Sequence, residues 1–313
     1  MRTTWPEGFV GTISTLGSHF PSNGHAFSIH STFPSTINLK DETNLLYALV
    51  MHQRQLHPCS AVMRLSNVFS DFTMLGLAPG RKAMLQKNRL CFDCGLWVSF
   101  VGAKRVHPDK EAPPVVSLLS LARLQKRGEL LSRVQYDKGT LLVYETLFQN
   151  HIQDSGFSGW FTPHARLLLS GVQTKDLQVS KKEMLSLLGL GPGSTPAGDD
   201  FLCGFLLSLS MLSLSYGDAS FRAFVQAWLN QFVKILNSPI QRTTDISLQM
   251  LRSACEGLYP QALISFARTF SEDASDDVQY ETSLQVLSEM GHSSGYDAAS
   301  GLMFGLVGLF PMS

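Results

Sequence analysis

The hydrophobic pattern of the chain changes its period near residue 110, and this change constrains the fold more than any other feature. Before that point the apolar residues form short β-prone runs, at 26–39, 60–65, 82–92 and 95–106, separated by turn-forming residues. After it they recur at the i, i+3, i+4 spacing of amphipathic helices. The sequence therefore predicts an α+β protein with a β-rich domain at residues 1–110 and a mainly helical domain at 111–313.

Local signals refine this outline. One helix is predicted inside the β-rich part, at 43–55, because its apolar residues fall on one side. Residues 107–114 are charged and contain prolines, which favours a linker. Ser180 and Glu183 have the spacing of a capping box, so a helix is predicted to begin there. Further helices are predicted at 115–127, 139–153, 163–170, 197–215, 221–237, 244–256, 260–269, 278–290 and 296–309.

Composition narrows the classes of function. Lys and Arg together number 25, as do Asp and Glu, so the chain lacks the basic excess expected of a general nucleic-acid binder. Charged residues make up 16%, below the roughly one quarter usual for soluble domains, which indicates extensive burial within or between chains. The odd count of five cysteines argues against a disulfide framework and favours a reducing compartment.

The sequence predicts neither a signal peptide nor a membrane-spanning segment. The N-terminus lacks the apolar core of a signal peptide. The most apolar stretch, at 201–214, is interrupted by serines and is too short to cross a bilayer, so we expect a buried helix there. The expectation is a cytoplasmic protein with no membrane partner and no nucleic-acid partner.

The segment at 189–200 carries the strongest functional signal. Its glycines, among them Gly191, Gly193 and Gly198, permit positive φ and a close approach of the backbone to a ligand. The loop is predicted to end at the N-terminus of an apolar helix, where free N–H groups favour an anion. The hydroxyls of Ser194 and Thr195 are further donors to phosphate or carboxylate oxygens. No lysine occupies the position that a Walker A loop requires.

Asp199 and Asp200 follow this loop directly, and their pairing leaves two interpretations open. One aspartate is explained as the N-cap of the helix. Two carboxylates beside an anion site would repel it, unless a cation or an NH-bearing substrate group intervenes. The pair is therefore either a cap, or a site that binds Mg²⁺ or accepts hydrogen bonds from an amide group.

A second segment, at 242–247, begins another predicted helix. Thr243 or Thr244 is suited to the N-cap position, and capping alone accounts for the threonines. Arg242 is not explained in this way. Its guanidinium is suited to bidentate binding of an anion.

A third segment, at 291–297, repeats the pattern of glycines, hydroxyls and an acid at a helix start. Ser294 and Asp297 are either caps of the last helix or part of a site with Ser293. His292 is either a solvent-facing turn residue or an acid–base group. We expect this segment to face one cavity together with 189–200 and 242–247.

These three segments resemble a protein family, the AllH-type subunit of oxamate carbamoyltransferase. Residues 189–204 read GLGPGSTPAGDDFLCG, 242–247 read RTTDIS, and 291–297 read GHSSGYD. The run from His30 to Leu39 also resembles an early strand of that family. Ser194 departs from the pattern, since a leucine is expected there.

The resemblance implies transfer of a carbamoyl group between oxamate, derived from oxalurate, and phosphate, in the catabolism of purine-ring (allantoin) nitrogen. It implies a transferase subunit that works with other subunits and binds carbamoyl phosphate, oxamate or oxalurate. Two alternatives remain: a Mg²⁺-dependent hydrolase or phosphotransferase that uses the paired aspartates, and a non-catalytic scaffolding subunit.

Roles are assigned to individual residues on this basis. The catalytic candidates are His292, Asp199 and Asp200. The candidates for substrate binding are Gly191, Gly193, Ser194, Thr195, Gly198, Arg242, Thr243, Ser293, Ser294 and Asp297. No residue is assigned to a metal, and Mg²⁺ is the cofactor that the hydrolase alternative requires.

Overall fold

A computed structural model describes residues 7–107, 113–116, 121–132, 140, 156–215, 219–238, 242–271 and 277–309. The chain divides into two compact units, Met1–Glu111 and Ala112–Ser313. The first contains the strands and the second the helices, so the predicted α+β class is confirmed. The helix predicted at 139–153 and most of the linker predicted at 107–114 lie outside the described residues.

The first unit is a closed β-sheet. Its strands are β1 Phe9–Leu16, β2 His25–Phe33, β3 Thr36–Lys40, β4 Leu46–Val50, β5 Ser60–Leu65, β6 Lys82–Gln86, β7 Arg89–Phe92, β8 Trp97–Ser99 and β9 Lys104–Arg105. Their order is β5-β4-β3-β2-β6-β7-β8-β1-β9, and β5 also pairs with β1. This last pairing closes the sheet into a barrel, which removes the exposed edges that an open sheet would present.

Local sequence explains one of the turns of the barrel. Lys87 and Asn88 connect β6 to β7 and have φ values of 49° and 57°. A two-residue turn with both φ values positive matches the twist of the flanking strands, which is why such turns join hairpins. Apolar side chains from alternate strand positions, such as Ile29, Ile37 and Leu39, fill the interior.

The prediction of a helix at 43–55 is wrong. Residues Leu46–Val50 are strand β4, which pairs with β3 on one side and β5 on the other. Only Gln53–Gln55 form a short 3₁₀ turn. A short apolar run is compatible with either structure, and here pairing with two neighbouring strands decides for the strand.

The second unit is helical. Its helices are α1 Leu121–Ser132, α2 Gly156–Gln173, α3 Leu177–Leu187, α4 Ala197–Ser215, α5 Ala219–Leu236, α6 Asp245–Cys255, α7 Gln261–Arg268, α8 Asp277–Ser288 and α9 Ser294–Leu309. The capping box predicted at Ser180 and Glu183 is wrong, because α3 begins earlier. Asp176 is its N-cap and accepts hydrogen bonds from the N–H groups of Gln178 and Val179.

Helix α4 is the centre of the helical core. Phe201 and Phe205 on α4 pack against Phe304 of α9, and Trp228 of α5 packs against Phe205. Among the described residues, one helix is long enough and apolar enough to cross a membrane. This helix is α4, whose most apolar window has a mean hydropathy of 1.4. Eighty-three per cent of its most apolar window is buried inside the protein, as expected of a core helix.

Helices α4 and α9 cross in direct backbone contact. A Cβ atom at Gly204 of α4 would lie 1.9 Å from the carbonyl oxygen of Ala298. One at Gly301 of α9 would lie 1.9 Å from the carbonyl oxygen of Phe201. No side chain fits at either position, so the two glycines set the distance between the helices.

Substitution of either glycine tests this contact. In a helix, Gly→Ala ordinarily stabilises by about 0.5–1 kcal/mol. Here we expect Gly204→Ala and Gly301→Ala to lower the free energy of unfolding by about 3 kcal/mol, the upper part of the range for overpacking. Urea unfolding followed by circular dichroism measures this, with Ser213→Ala on the same helix as a control that changes little. Equal stability of the glycine variants and wild type would contradict the contact.

Candidate functional site

The glycine-rich segment forms a loop between α3 and α4. Gly189, Gly191 and Gly193 have φ values of 76°, 114° and 102°, which side-chain-bearing residues rarely adopt. A Cβ atom at Gly189 would also lie 2.0 Å from the carbonyl oxygen of Arg242. The loop therefore needs glycine both for its backbone conformation and where it meets the segment at 242–247.

Asp199 connects the glycine-rich loop to the segment at 242–247 through hydrogen bonds. Its Oδ1 accepts a hydrogen bond from the N–H of Gly189 at 2.8 Å, and its Oδ2 accepts one from the hydroxyl of Thr243. Asp199 is fully buried, and both of its oxygens are used by protein donors. The prediction that one of the two aspartates is the N-cap of α4 is wrong, because the helix begins at Ala197 and both aspartates lie within its first turn.

Thr244 adds a second connection. Its hydroxyl accepts from the N–H of Ser247 at 3.1 Å, which makes it the N-cap of α6, and donates to the carbonyl oxygen of Ser194 at 2.6 Å. The residue that caps α6 is therefore also hydrogen-bonded to the glycine-rich loop. Thr244 is thus the N-cap that the sequence predicted, and its contact with the glycine-rich loop is an additional role that the sequence did not suggest.

The third segment reaches the loop through hydroxyl groups. Thr195 Oγ1 lies 3.0 Å from Ser294 Oγ at the start of α9. The segments at 189–200, 242–247 and 291–297 therefore meet, although 99 residues separate Thr195 from Ser294. We call Thr195, Asp200, Ser294 and Asp297 the Asp200 cluster.

In the part of the chain that the structure describes, two carboxyl oxygens of the Asp200 cluster accept no hydrogen bond. Asp297 is fully buried, and its Oδ1 accepts from the N–H of Thr140 at 2.7 Å and from the Thr140 hydroxyl at 2.9 Å. Asp297 Oδ2 and Asp200 Oδ2 are inaccessible to solvent and have no hydrogen-bond partner among the described residues. Nearly all buried polar groups in proteins are paired, so each of these oxygens calls for an explanation.

Burial changes the protonation of these acids. It raises the pKa of Asp200 well above its usual value; the Ser294 and Thr195 hydroxyls lower it, while the charge of Asp297 raises it further. Burial likewise raises the pKa of Asp297 to about 6, against the hydrogen bonds from Thr140. The pKa of Asp199 is raised by burial too, and its bonds to Thr243 and Gly189 oppose this. Burial therefore shifts the pKa of all three acids toward the neutral form.

The loop also presents unused backbone donors. In the described part of the chain, the N–H groups of Gly191, Gly193, Ser194, Thr195 and Ala197 donate to no protein acceptor. In contrast, the N–H groups that follow Ala197 in α4 are occupied, since Gly198 donates to Leu190 O and Asp200 to Pro196 O. Four of these five donors belong to the loop and the fifth, Ala197, is the first residue of α4, so both the loop backbone and the helix terminus that the sequence suggested present donors.

The other predicted residues differ in their surroundings. Gly198 allows close packing, since a Cβ atom there would lie 2.1 Å from Leu187 O. The carbonyl oxygen of Ser293 accepts from the N–H of Asp297 at 2.9 Å. His292 is exposed on the turn before α9. The exposed Arg242 donates its Nη1–H to Leu185 O at 3.2 Å, on a cleft beside α3.

One contact of the site was missed from the sequence. Thr140 binds Asp297 across 157 residues and follows no motif that the sequence displays. A buried threonine hydroxyl next to a buried acid has no local signal, because the contact exists only once distant segments pack. Within the described residues, no group of three His, Cys, Asp or Glu side chains is arranged to hold a metal ion.

The role of Asp199 can be tested through stability. Asp199→Ala would leave the Gly189 N–H and the Thr243 hydroxyl without partners, so we expect a loss of about 2–4 kcal/mol in the free energy of unfolding. Thr243→Ser retains the hydroxyl and is the matched control, with a change near zero. Urea unfolding provides the measurement. A stability of Asp199→Ala equal to that of Thr243→Ser would show that the bridge is unimportant.

Asp297 should make stability depend on pH. Its pKa is about 6 in the folded protein and 3.8 ordinarily, so the folded state binds the proton more tightly. Its contribution is present below pH 4 and is lost as pH rises to about 6, by about 3 kcal/mol. Asp297→Asn, which keeps an oxygen for Thr140, should show a flatter curve in urea unfolding between pH 4 and 7. Parallel curves for the variant and wild type would refute this assignment.

Comparison with known proteins agrees with the motifs that meet here. The family model described as oxamate carbamoyltransferase subunit AllH matches residues 187–306, which include all three segments. The model described as the AllH family N-terminal domain matches residues 10–105, the barrel. No curated protein and no solved structure matches the chain significantly. Since the two family models together match most of the chain, the protein belongs to the AllH family of oxamate carbamoyltransferase subunits.

Proposed function

We propose that this subunit binds a small carbamoyl-bearing anion between the glycine-rich loop and the Asp200 cluster. The observation that carries the proposal is the buried Oδ2 of Asp200, which has no partner among the described residues. It lies on the helix that follows a loop in which four N–H groups have no acceptor among the described residues. The loop N–H groups suit the anionic end of the ligand. The carboxyl group of Asp200 suits its carbamoyl end.

A neutral carboxyl group is well matched to a carbamoyl group. When protonated, it donates one hydrogen bond through its O–H and accepts others at its carbonyl oxygen. A carbamoyl group offers the complement, a C=O that accepts and an NH₂ that donates. Carbamoyl phosphate and oxamate carry this group directly on a phosphate or a carboxylate, and oxalurate carries it on the nitrogen of an oxamate unit that ends in a carboxylate. The raised pKa of Asp200 also removes the repulsion that two carboxylates would exert on such an anion.

The proposed reaction is carbamoyl transfer between oxalurate and phosphate. A phosphate oxygen attacks the carbamoyl carbon, the bond from that carbon to the oxamate nitrogen breaks, and this nitrogen takes up a proton. The products are carbamoyl phosphate and oxamate. Such a transfer depends on positioning both anions and stabilising developing charge, which fixed N–H donors achieve without reorganisation. His292, exposed on the turn before α9, is the proposed proton carrier.

The setting proposed for this reaction is the catabolism of allantoin nitrogen in the cytoplasm, with other subunits of the enzyme as partners. Of the two alternatives, Mg²⁺-dependent hydrolysis receives less support from the contacts. Both oxygens of Asp199 already accept hydrogen bonds from Gly189 and Thr243. A scaffolding subunit remains the second candidate, because membership of a subunit family supports it equally.

Two substitutions of Asp200 test the proposal. Asp200→Ala removes both the donor and the acceptor, so affinity for carbamoyl phosphate and oxamate should fall by roughly tenfold or more. Asp200→Asn keeps one donor and one acceptor. If Asp200 acts as a neutral acid, the asparagine variant should bind within a few-fold of wild type. Calorimetric titration with carbamoyl phosphate, oxamate, oxalurate and phosphate, with and without Mg²⁺, measures these affinities.

Asp176→Ala is the matched control. Asp176 is the exposed N-cap of α3, so its loss should cost about 1 kcal/mol of stability and leave ligand affinity unchanged. Thermal melts of all variants separate unfolding from loss of binding. Unaltered affinity in Asp200→Ala would reject the carbamoyl site and favour the scaffolding subunit. Binding that requires Mg²⁺ and is lost in both Asp200 variants would favour the metal-dependent alternative.

A further inference from the structure

A cleft of about 290 Å³ on the helical unit concentrates positive charge. Its polar side chains are Lys181 of α3, Gln231 and Lys234 of α5, Ser238 and Arg242, and two apolar side chains complete the lining. No carboxylate is among these lining residues. The residues of the Asp200 cluster do not line it either, so this is a different place from the proposed carbamoyl site.

The three cations of the cleft are not neutralised. Lys181 and Lys234 form no ion pair in the described part of the chain. Arg242 has five N–H donors, of which one donates to Leu185 O. The whole chain carries no net charge, so this local excess is not a consequence of a basic composition. Clefts lined by charge of one sign focus the electrostatic field and raise the local concentration of counter-ions.

A structural explanation accounts for only part of this arrangement. Cations stabilise the C-terminal ends of helices, where the backbone carbonyls are unpaired. Lys234 lies in the last turn of α5, and Arg242 binds a carbonyl near the end of α3. Lys181, however, lies in the first half of α3, where the helix dipole does not favour a cation. Its presence in the cleft calls for another reason.

We propose that the cleft binds a phosphate-type oxyanion, at a site separate from the glycine-rich loop. The fork of N–H groups on Arg242 matches two phosphate oxygens, and the lysines supply charge from the other walls. The amide of Gln231 and the hydroxyl of Ser238 are additional donors. A volume of about 290 Å³ fits a single phosphate-bearing metabolite.

The cleft is also joined to the loop through the backbone. Arg242 lines the cleft with its side chain, while its carbonyl oxygen is the atom against which Gly189 packs. The next residue, Thr243, donates to Asp199. An anion bound by Arg242 therefore contacts the residue that adjoins the glycine-rich loop. The proposal stands on the cleft alone and does not depend on the carbamoyl-transfer function.

Inorganic phosphate is the probe for this site. Calorimetric titration of the full chain should show saturable binding, and Lys181→Gln and Lys234→Gln should each weaken it roughly tenfold, the effect of one charge-assisted hydrogen bond. Lys182→Gln is the matched control. It removes the same charge from the neighbouring residue, whose side chain is 79% exposed and does not line the cleft. This variant should bind phosphate like wild type.

Three results would overturn the proposal. They are the absence of saturable phosphate binding, equal affinity losses for Lys181→Gln and Lys182→Gln, and a lower melting temperature in Lys234→Gln without a change in affinity. The last would indicate that the lysine only stabilises the end of a helix. Phosphate bound by the loop N–H groups would persist in Lys181→Gln, which separates the two sites. The Asp200 variants test the carbamoyl site, and the lysine variants test the cleft. Failure of the phosphate proposal is therefore distinguishable from failure of the carbamoyl proposal.

Discussion

The close crossing of α4 and α9 is the contact on which the candidate site depends. Gly204 and Gly301 let each helix backbone lie against the carbonyl oxygens of the other, without an intervening side chain. Asp200 and Asp297 each lie about one turn before the glycine of their own helix, so the crossing brings this part of α4 beside the start of α9, where Thr195 meets Ser294. Larger residues at the glycines would separate the helices and, with them, the hydroxyls and carboxyls that form the Asp200 cluster.

The two aspartates at the start of α4 have different surroundings, so their carboxyl groups make different contacts. Asp199 uses both oxygens to join Gly189 to Thr243, so it holds the loop in place. Asp200 has a raised pKa and a buried oxygen that has no hydrogen-bond partner among the described residues, an arrangement that costs stability. Polar groups that are left unsatisfied in a core are typical of sites where a ligand completes the bonding. Asp199 thus connects the loop to the 242–247 segment, and Asp200 is the acid that the proposed function assigns to the ligand.

Much of the fold was predictable because its signals are local. The change from strand to helix period, the loop at 189–196 and the start of α4 at Ala197 all follow from glycine, proline and apolar spacing. The errors arose where two structures fit the same local pattern. Leu46–Val50 had the apolar spacing of a short helix, and pairing with β3 and β5 made it a strand. Ser180 and Glu183 matched a capping box, yet Asp176 caps the helix four residues before Ser180.

The sequence by itself determined the α+β class, the family and the three segments that meet, since these depend on periodicity and on motifs of a few residues. Only the tertiary structure decided what each side chain of those segments does. Asp199 became a bridge, Arg242 turned toward a separate cleft, and Asp297 received Thr140 as a partner from 157 residues away. The physical reason is that burial and hydrogen-bond partners come from packing between distant segments, and these two factors decide which carboxyl oxygens are paired and how far each pKa is shifted.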